Sequence, residues 1–147
     1  MSLLLDTNVV SESIRARPEP KVLRWLAALP KQDLAISAVT VAELRDGITN
    51  APGGKRRAAL SRWVENEVAY FSDRTLQITG DILLDWISLS RRLRRTGKTR
   101  ESADLLIAST ARVHNLTLAT RNIRDFADTG LVVYDPWHDR THRMDAP

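Results

Sequence analysis

The sequence predicts an α/β protein, a three-layer α/β/α sandwich with a mostly parallel central sheet. Short apolar runs of strand length, at Leu3–Leu5, Leu34–Ser37, Leu76–Ile78, Leu116–Ala119 and Leu131–Tyr134, alternate with longer segments whose apolar residues recur at helical spacing. Strands that alternate with helices pair in parallel and need helices over both faces. The chain has 147 residues and no repeat, linker or low-complexity stretch. A domain of that size buries roughly 70% of the surface its unfolded chain exposes, so it needs neither a metal nor a disulfide to fold. Residues 1–137 are expected to form the single domain and 138–147 a loosely ordered tail.

Each element has its own signal. Leu3-Leu4-Leu5 is a buried strand that delivers Asp6 to its carboxyl end, and Thr7 and Asn8 offer groups that start a short helix through Ile14. Pro18 and Pro20 break the chain, and Pro20 suits the first turn of a helix whose apolar face is Val22, Leu23, Trp25, Leu26 and Leu29. After the second strand, Thr40 followed by Glu43 has capping-box spacing for a helix running to Asn50 through Val41, Leu44 and Ile48. Ala51-Pro52-Gly53-Gly54 is a turn, and Leu60, Trp63, Val64 and Val68 mark a helix from Lys55 to Phe71. The helices between Ser37 and Leu76 make a long excursion, as expected of a pair packing outward or against a partner.

Thr79 is placed to cap a helix carrying Ile82, Leu83, Trp86, Ile87, Leu89 and Leu93, which ends at Gly97. The next helix begins near Glu101, holds Asp104, Leu105, Ile107, Ala108 and Ala111, and closes at His114-Asn115. A strand at Leu116–Ala119, a turn or short helix through Phe126, and a last strand ending at Asp135-Pro136-Trp137 complete the chain.

Composition excludes several chemistries. There is no cysteine, which removes disulfide scaffolds, thiol nucleophiles and cysteine-held zinc and fits a reducing cytoplasm. No apolar run approaches the roughly 20 residues of a membrane span, and the N-terminus lacks a signal peptide's basic region. The net charge of +4 is concentrated: Arg91–Arg100 holds six basic residues and no acid, leaving 16 basic against 18 acidic residues elsewhere. Within it Arg94, Arg95, Lys98 and Arg100 suit a nucleic-acid backbone, though a solvated helix end is the plainer reading.

Asp6, Glu43, Asp104 and Asp125 each follow an apolar strand or open an apolar helix. In a parallel sheet they emerge at one edge, where ligands bind. Gathered carboxylates repel one another and call for a cation. Hard oxygen ligands without His or Cys suit Mg²⁺ or Mn²⁺. Two such ions about 3.5 to 4 Å apart serve phosphodiester hydrolysis. Each acid also has a plainer reading: Glu43 as the capping-box acid, Asp104 as an acid favoured by the helix dipole, Asp125 as a turn residue.

Four blocks, Leu3–Glu12, Ile36–Gly47, Ala103–Ala111 and Ala119–Asn122, resemble in order the signatures of PIN-domain ribonucleases. The similarity is greatest to VapC toxins of bacterial toxin-antitoxin pairs, particularly the FitB-like branch, and runs from residue 3 to Trp137. It implies a PIN-like fold and an endoribonuclease using Mg²⁺ or Mn²⁺, with Asp6, Glu43 and Asp104 as metal-holding acids and Asp125 as the fourth. Thr7, Asn8, Thr120 and Asn122 are supporting residues, Asn122 offering only a neutral oxygen. It further implies a homodimer and a small cognate antitoxin of the VapB or FitA kind that neutralises the enzyme.

Other readings fare worse. A haloacid-dehalogenase-type phosphotransferase needs a second Asp where Asn8 stands. A P-loop ending in Gly97-Lys98-Thr99 needs Gly where Arg92 stands. His114, His138 and His142 are scattered. The alternative from another class is a catalytically idle PIN-fold module that binds RNA or antitoxin; retained acids argue against it.

Overall fold

The computed structural model describes residues 2–146. A six-stranded sheet lies at its centre, formed by β1 (Leu3–Leu5), β2 (Leu34–Ser37), β3 (Thr75–Leu76), β4 (Thr117–Ala119), β5 (Val132–Asp135) and β6 (Arg140–Arg143). The strand order is β3-β2-β1-β4-β5-β6. All neighbours are parallel except β5 and β6, which are antiparallel. The α-helices are α1 (Thr7–Val10), α2 (Pro20–Ala28), α3 (Ala38–Thr49), α4 (Lys55–Tyr70), α5 (Gly80–Arg95) and α6 (Ser102–Val113).

Alternation along each strand divides the core between two faces. Leu4, Ala35, Leu118 and Val133 point to one side and pack with Leu89 and Leu93 of α5 and Leu105, Ile107, Ala108 and Ala111 of α6. Leu5, Leu34, Ile36 and Ala119 point to the other and pack with Val9 and Val10 of α1, Leu44 of α3 and Val64 of α4. Adjacent leucines therefore serve opposite cores. The three-layer sandwich follows directly from strands that are buried on both faces.

Several local signals act as the sequence indicates. Pro20 occupies the first turn of α2. The Thr79 hydroxyl accepts a hydrogen bond from the Ile82 N–H and caps α5. Gly97 adopts φ 72°, and the N–H groups of Gly97 and Lys98 return to the carbonyls of Arg94 and Leu93, the Schellman arrangement that closes α5. Asn115, at φ 54°, ends α6 in the same way, with its N–H bonded to Arg112 O and that of Leu116 to Ala111 O.

Three expectations are corrected. The cap of α3 is Ser37, whose hydroxyl accepts from Val39 N–H; Thr40 is a fully buried residue inside the helix. Strand β2 pairs up to Ser37, so the helix begins as soon as the strand ends. The α3–α4 pair does not project outward, because Val64 and Phe71 are buried against the sheet. Arg74, buried after α4, donates to the carbonyls of Lys31, Leu34 and Tyr70 and ties that excursion to the start of β2. The tail is not loose throughout: Arg140–Arg143 pairs with β5, and Met144 packs on the core. An edge strand can be wholly polar because backbone pairing, without burial of side chains, holds it, so no apolar pattern announced it.

Candidate active site

The C-terminal ends of β1 and β4 lie side by side and set the geometry. Asp6 follows β1 directly, is only 5% exposed, and caps α1 through its own carboxylate. Its Oδ1 accepts from Thr7 N–H at 2.8 Å, and its Oδ2 accepts from the Thr120 hydroxyl at 2.7 Å and the Asn8 amide at 3.2 Å. Asn8 also reaches Thr120 Oγ1 at 3.2 Å, while its own Oδ1 accepts from Arg121 N–H at 3.1 Å. The Asn122 N–H closes the cluster on Thr120 Oγ1 at 3.0 Å. Thr120 is thus the hinge of the network, donating to the acid and accepting from both asparagines.

Glu43 stands in the second turn of α3, with no acid in that helix's first turn, so the capping-box reading falls. The Thr7 hydroxyl lies 2.8 Å from Glu43 Oε1 and 3.1 Å from Thr40 Oγ1, fixing the acid toward α1. Asp104 occupies the first turn of α6. Asp6, Glu43, Asp104 and Asn122 line one cleft of about 300 Å³, together with Thr7, Asn8 and Ser11. Asp125, in the 3-10 turn Ile123–Phe126, lines an adjoining hollow of about 500 Å³ that shares Asp104 and includes Arg100 and Arg124.

Crowding of acids shows in their proton affinity. Burial pushes the Asp104 carboxyl up to about 6, and the charges of Asp6, Asp125, Glu43 and Glu101 push in the same direction. Asp6 is also raised, first by burial and then by Glu43, against the lowering effect of its hydrogen bonds from Thr120, Thr7 and Asn8. Both acids therefore resist ionisation in the protein alone, and a cation would relieve both. The donor set is all oxygen, as Mg²⁺ and Mn²⁺ prefer. Among the described residues no group of three or more His, Cys, Asp or Glu side chains is drawn together closely enough to hold a metal ion.

The basic segment is divided. Arg94 and Arg95 lie in the last turn of α5, whereas Lys98 is 2.9 Å and Arg100 3.8 Å from the same carboxylate oxygen of Asp128. One acid thus takes up part of the positive charge that the sequence leaves open. Ser11 and Arg124 join the clefts without a sequence signal of their own. Thr40 had a signal, its place three residues before Glu43 on the same helical face.

This arrangement can be compared with known proteins. A family model described as PIN domain matches residues 3–131. The chain belongs to the PIN-domain family. Among curated relatives of this PIN domain, Toxin FitB of Neisseria gonorrhoeae is 37% identical over 138 residues, covering 93% of this chain and 99% of the relative. The VapC ribonuclease Y4jK of Sinorhizobium fredii is 38% identical over 136 residues, covering 92% and 97%. In three dimensions the PIN domain is similar to the crystal structure of FitAcB from Neisseria gonorrhoeae, with a TM-score of 0.86 at 36% identity and coverage of 92% and 99%. The structure of FitAB bound to a DNA fragment gives 0.87 at 34% identity, covering 96% and 99%. The matched region contains all four acids. Among the described residues, no helix is long and apolar enough to cross a membrane.

Proposed function

We propose that this PIN domain is a metal-dependent endoribonuclease, the toxin of a toxin-antitoxin pair, which hydrolyses RNA phosphodiester bonds with Mg²⁺ or Mn²⁺ held by Asp6, Glu43 and Asp104. The observation that carries this reading is the convergence of three acids from β1, α3 and α6 on one cleft, with Asp104 pushed up to about 6 by burial and by the charges of its neighbours. A divalent ion held by Asp6, Glu43 and Asp104 would supply the charge needed to activate a water and stabilise the leaving oxygen. The chain's own groups prepare for it. Thr120, Asn8 and the Thr7 N–H hold the Asp6 carboxylate in one orientation. Thr7 positions Glu43. Asp125 reaches the site through its charge on Asp104, while Asn122 lines the cleft and contributes a neutral amide. Arg94, Arg95, Lys98 and Arg100 attract the RNA backbone, with the two partnered by Asp128 contributing less.

The relatives named as FitAB complexes, and a toxin-antitoxin complex from Klebsiella pneumoniae similar to this chain, support a small FitA- or VapB-like antitoxin as its partner. An arginine of such a partner would be held well by an acidic cleft lacking its full complement of metal. Leu83, Leu84 and Ile87 form an exposed apolar face on α5, 41%, 69% and 45% exposed, and offer the homodimer its contact. The cytoplasm, where RNA is available, is the site of action.

The test is cleavage of total RNA by wild type and Asp6→Ala in Mg²⁺, in Mn²⁺ and in EDTA. Wild type should cleave only with metal and the variant not at all. Equal cleavage by both would remove the acids from the chemistry, and cleavage by neither would favour the idle binding module.

A further inference from the structure

The acids at the cleft repel the polyanion that the proposed reaction requires, so cations fixed beside them must hold the RNA in register. Arg121 is such a cation. It follows Thr120 directly, and its backbone N–H donates to Asn8 Oδ1 at 3.1 Å, which ties the residue to the same network that holds Asp6. Its guanidinium lies over the Trp137 ring, 5.3 Å from the centroid. Among the described residues no carboxylate pairs with it, unlike Lys98 and Arg100.

The support under Arg121 is itself built. Asp135, buried at the C-terminal end of β5, accepts from Trp137 N–H at 2.8 Å and His138 N–H at 3.3 Å through Oδ1, and its Oδ2 lies 2.8 Å from His138 Nδ1. One carboxylate therefore fixes the whole turn that carries the tryptophan. Trp137 is partly buried and packs against the core cluster that includes Leu5, Val9 and Ala119. A guanidinium held over a ring by cation–π attraction, with no carboxylate on it, keeps N–H groups available to take a phosphate by two parallel hydrogen bonds.

We infer that Arg121, positioned by Trp137 and the Asp135-braced turn, forms a phosphate-binding subsite for a nucleotide next to the scissile one in single-stranded RNA. The inference rests on the nuclease reading for its substrate. Its chemistry is recognition of the phosphodiester backbone, independent of base sequence. β4 and β5 are parallel neighbours, so their C-terminal ends bring Arg121 and the Trp137 turn to the same sheet edge as Asp6.

Fluorescence anisotropy of a labelled single-stranded oligoribonucleotide, titrated in EDTA at several salt concentrations, tests it without requiring cleavage. Arg121→Gln should weaken binding about three- to tenfold and reduce the slope of log K against log salt by about 0.7 to 1, the loss of one phosphate contact. Trp137→Phe keeps a ring beneath the guanidinium and should stay within about twofold of wild type, whereas Trp137→Leu should behave as Arg121→Gln. Thermal melts establish that each variant is folded. Arg143→Gln removes a cation at the opposite edge of the sheet, where β6 pairs with the first residue of β5, and should change little. Wild-type affinity and slope in Arg121→Gln, or an equal loss in Arg143→Gln, overturns the subsite. Absence of metal-dependent cleavage by wild type would refute the nuclease reading instead, and the anisotropy would still report on Arg121.

Discussion

Asp104→Asn should make the metal-free protein more stable while abolishing its chemistry. The carboxyl is raised from 3.8 to about 6. That rise corresponds to a ceiling of about 3 kcal/mol of unfavourable charge in the folded state. Asp104 is part-exposed, so solvent screening cuts this to about 1 kcal/mol. The sign follows from linkage: between pH 3.8 and about 6 the unfolded chain releases this proton and the folded protein keeps it, so the folded state loses stability as pH rises through that window. Above about pH 6 the cost is fully present. The neutral amide escapes it. In EDTA, thermal melts from pH 4 to 8 should show the variant gaining on wild type up to about pH 6 and then holding a lead of about 2 to 5 °C. Added Mg²⁺ should raise the melting temperature of wild type and leave the variant's nearly unchanged. If the variant melts below wild type at pH 7.5 in EDTA, the ionised Asp104 is not disfavoured by burial and neighbouring charge as described and the reasoning fails.

Three further outcomes follow from the same structure. Thr120→Val removes the 2.7 Å donor to Asp6 from a fully buried position and should cost about 1 to 3 kcal/mol in urea unfolding at neutral pH, with cleavage falling at least tenfold; a neutral effect on both would show that the network around Asp6 is dispensable. Leu84→Glu places a charge on the exposed apolar face of α5; on the proposed homodimer, size-exclusion chromatography should show wild type as a dimer and the variant as a monomer, and a wild-type elution volume for the variant would remove this face from the contact. Gly97→Ala forces a side chain into φ 72° at the end of α5 and should destabilise by about 1 kcal/mol, read as a lower urea midpoint at unchanged m-value.

Much of the fold is legible because its signals are local. β2 spans Leu34–Ser37 as its apolar run indicates, Pro20 opens α2, and Gly97 closes α5 because only a residue at ease with positive φ can end the helix there. The cap of α3 shows the limit of local rules. Ser37 and Thr40 both satisfy the chemistry of a cap, and what separates them is where β2 stops pairing with β3, a contact nearly forty residues away in sequence. β6 was invisible for a related reason, since its residues are polar and its stability comes from a partner strand.

The sequence by itself determined which carboxylates end strands or open helices, the absence of thiol chemistry, and the ordered blocks that resemble PIN-domain ribonucleases. Those properties belong to single residues and short spacings. Only the tertiary structure decided which acids share a cleft, that Asn122 lines it while Asp125 lines the adjoining hollow, and that Asp128 takes up the charge of Lys98 and Arg100. It also placed Arg121 between Asn8 and Trp137. The physical reason is that hydrogen bonds and charge interactions act over a few ångströms, and Asp6 and Thr120, 2.7 Å apart in space, are separated by 114 positions in the chain.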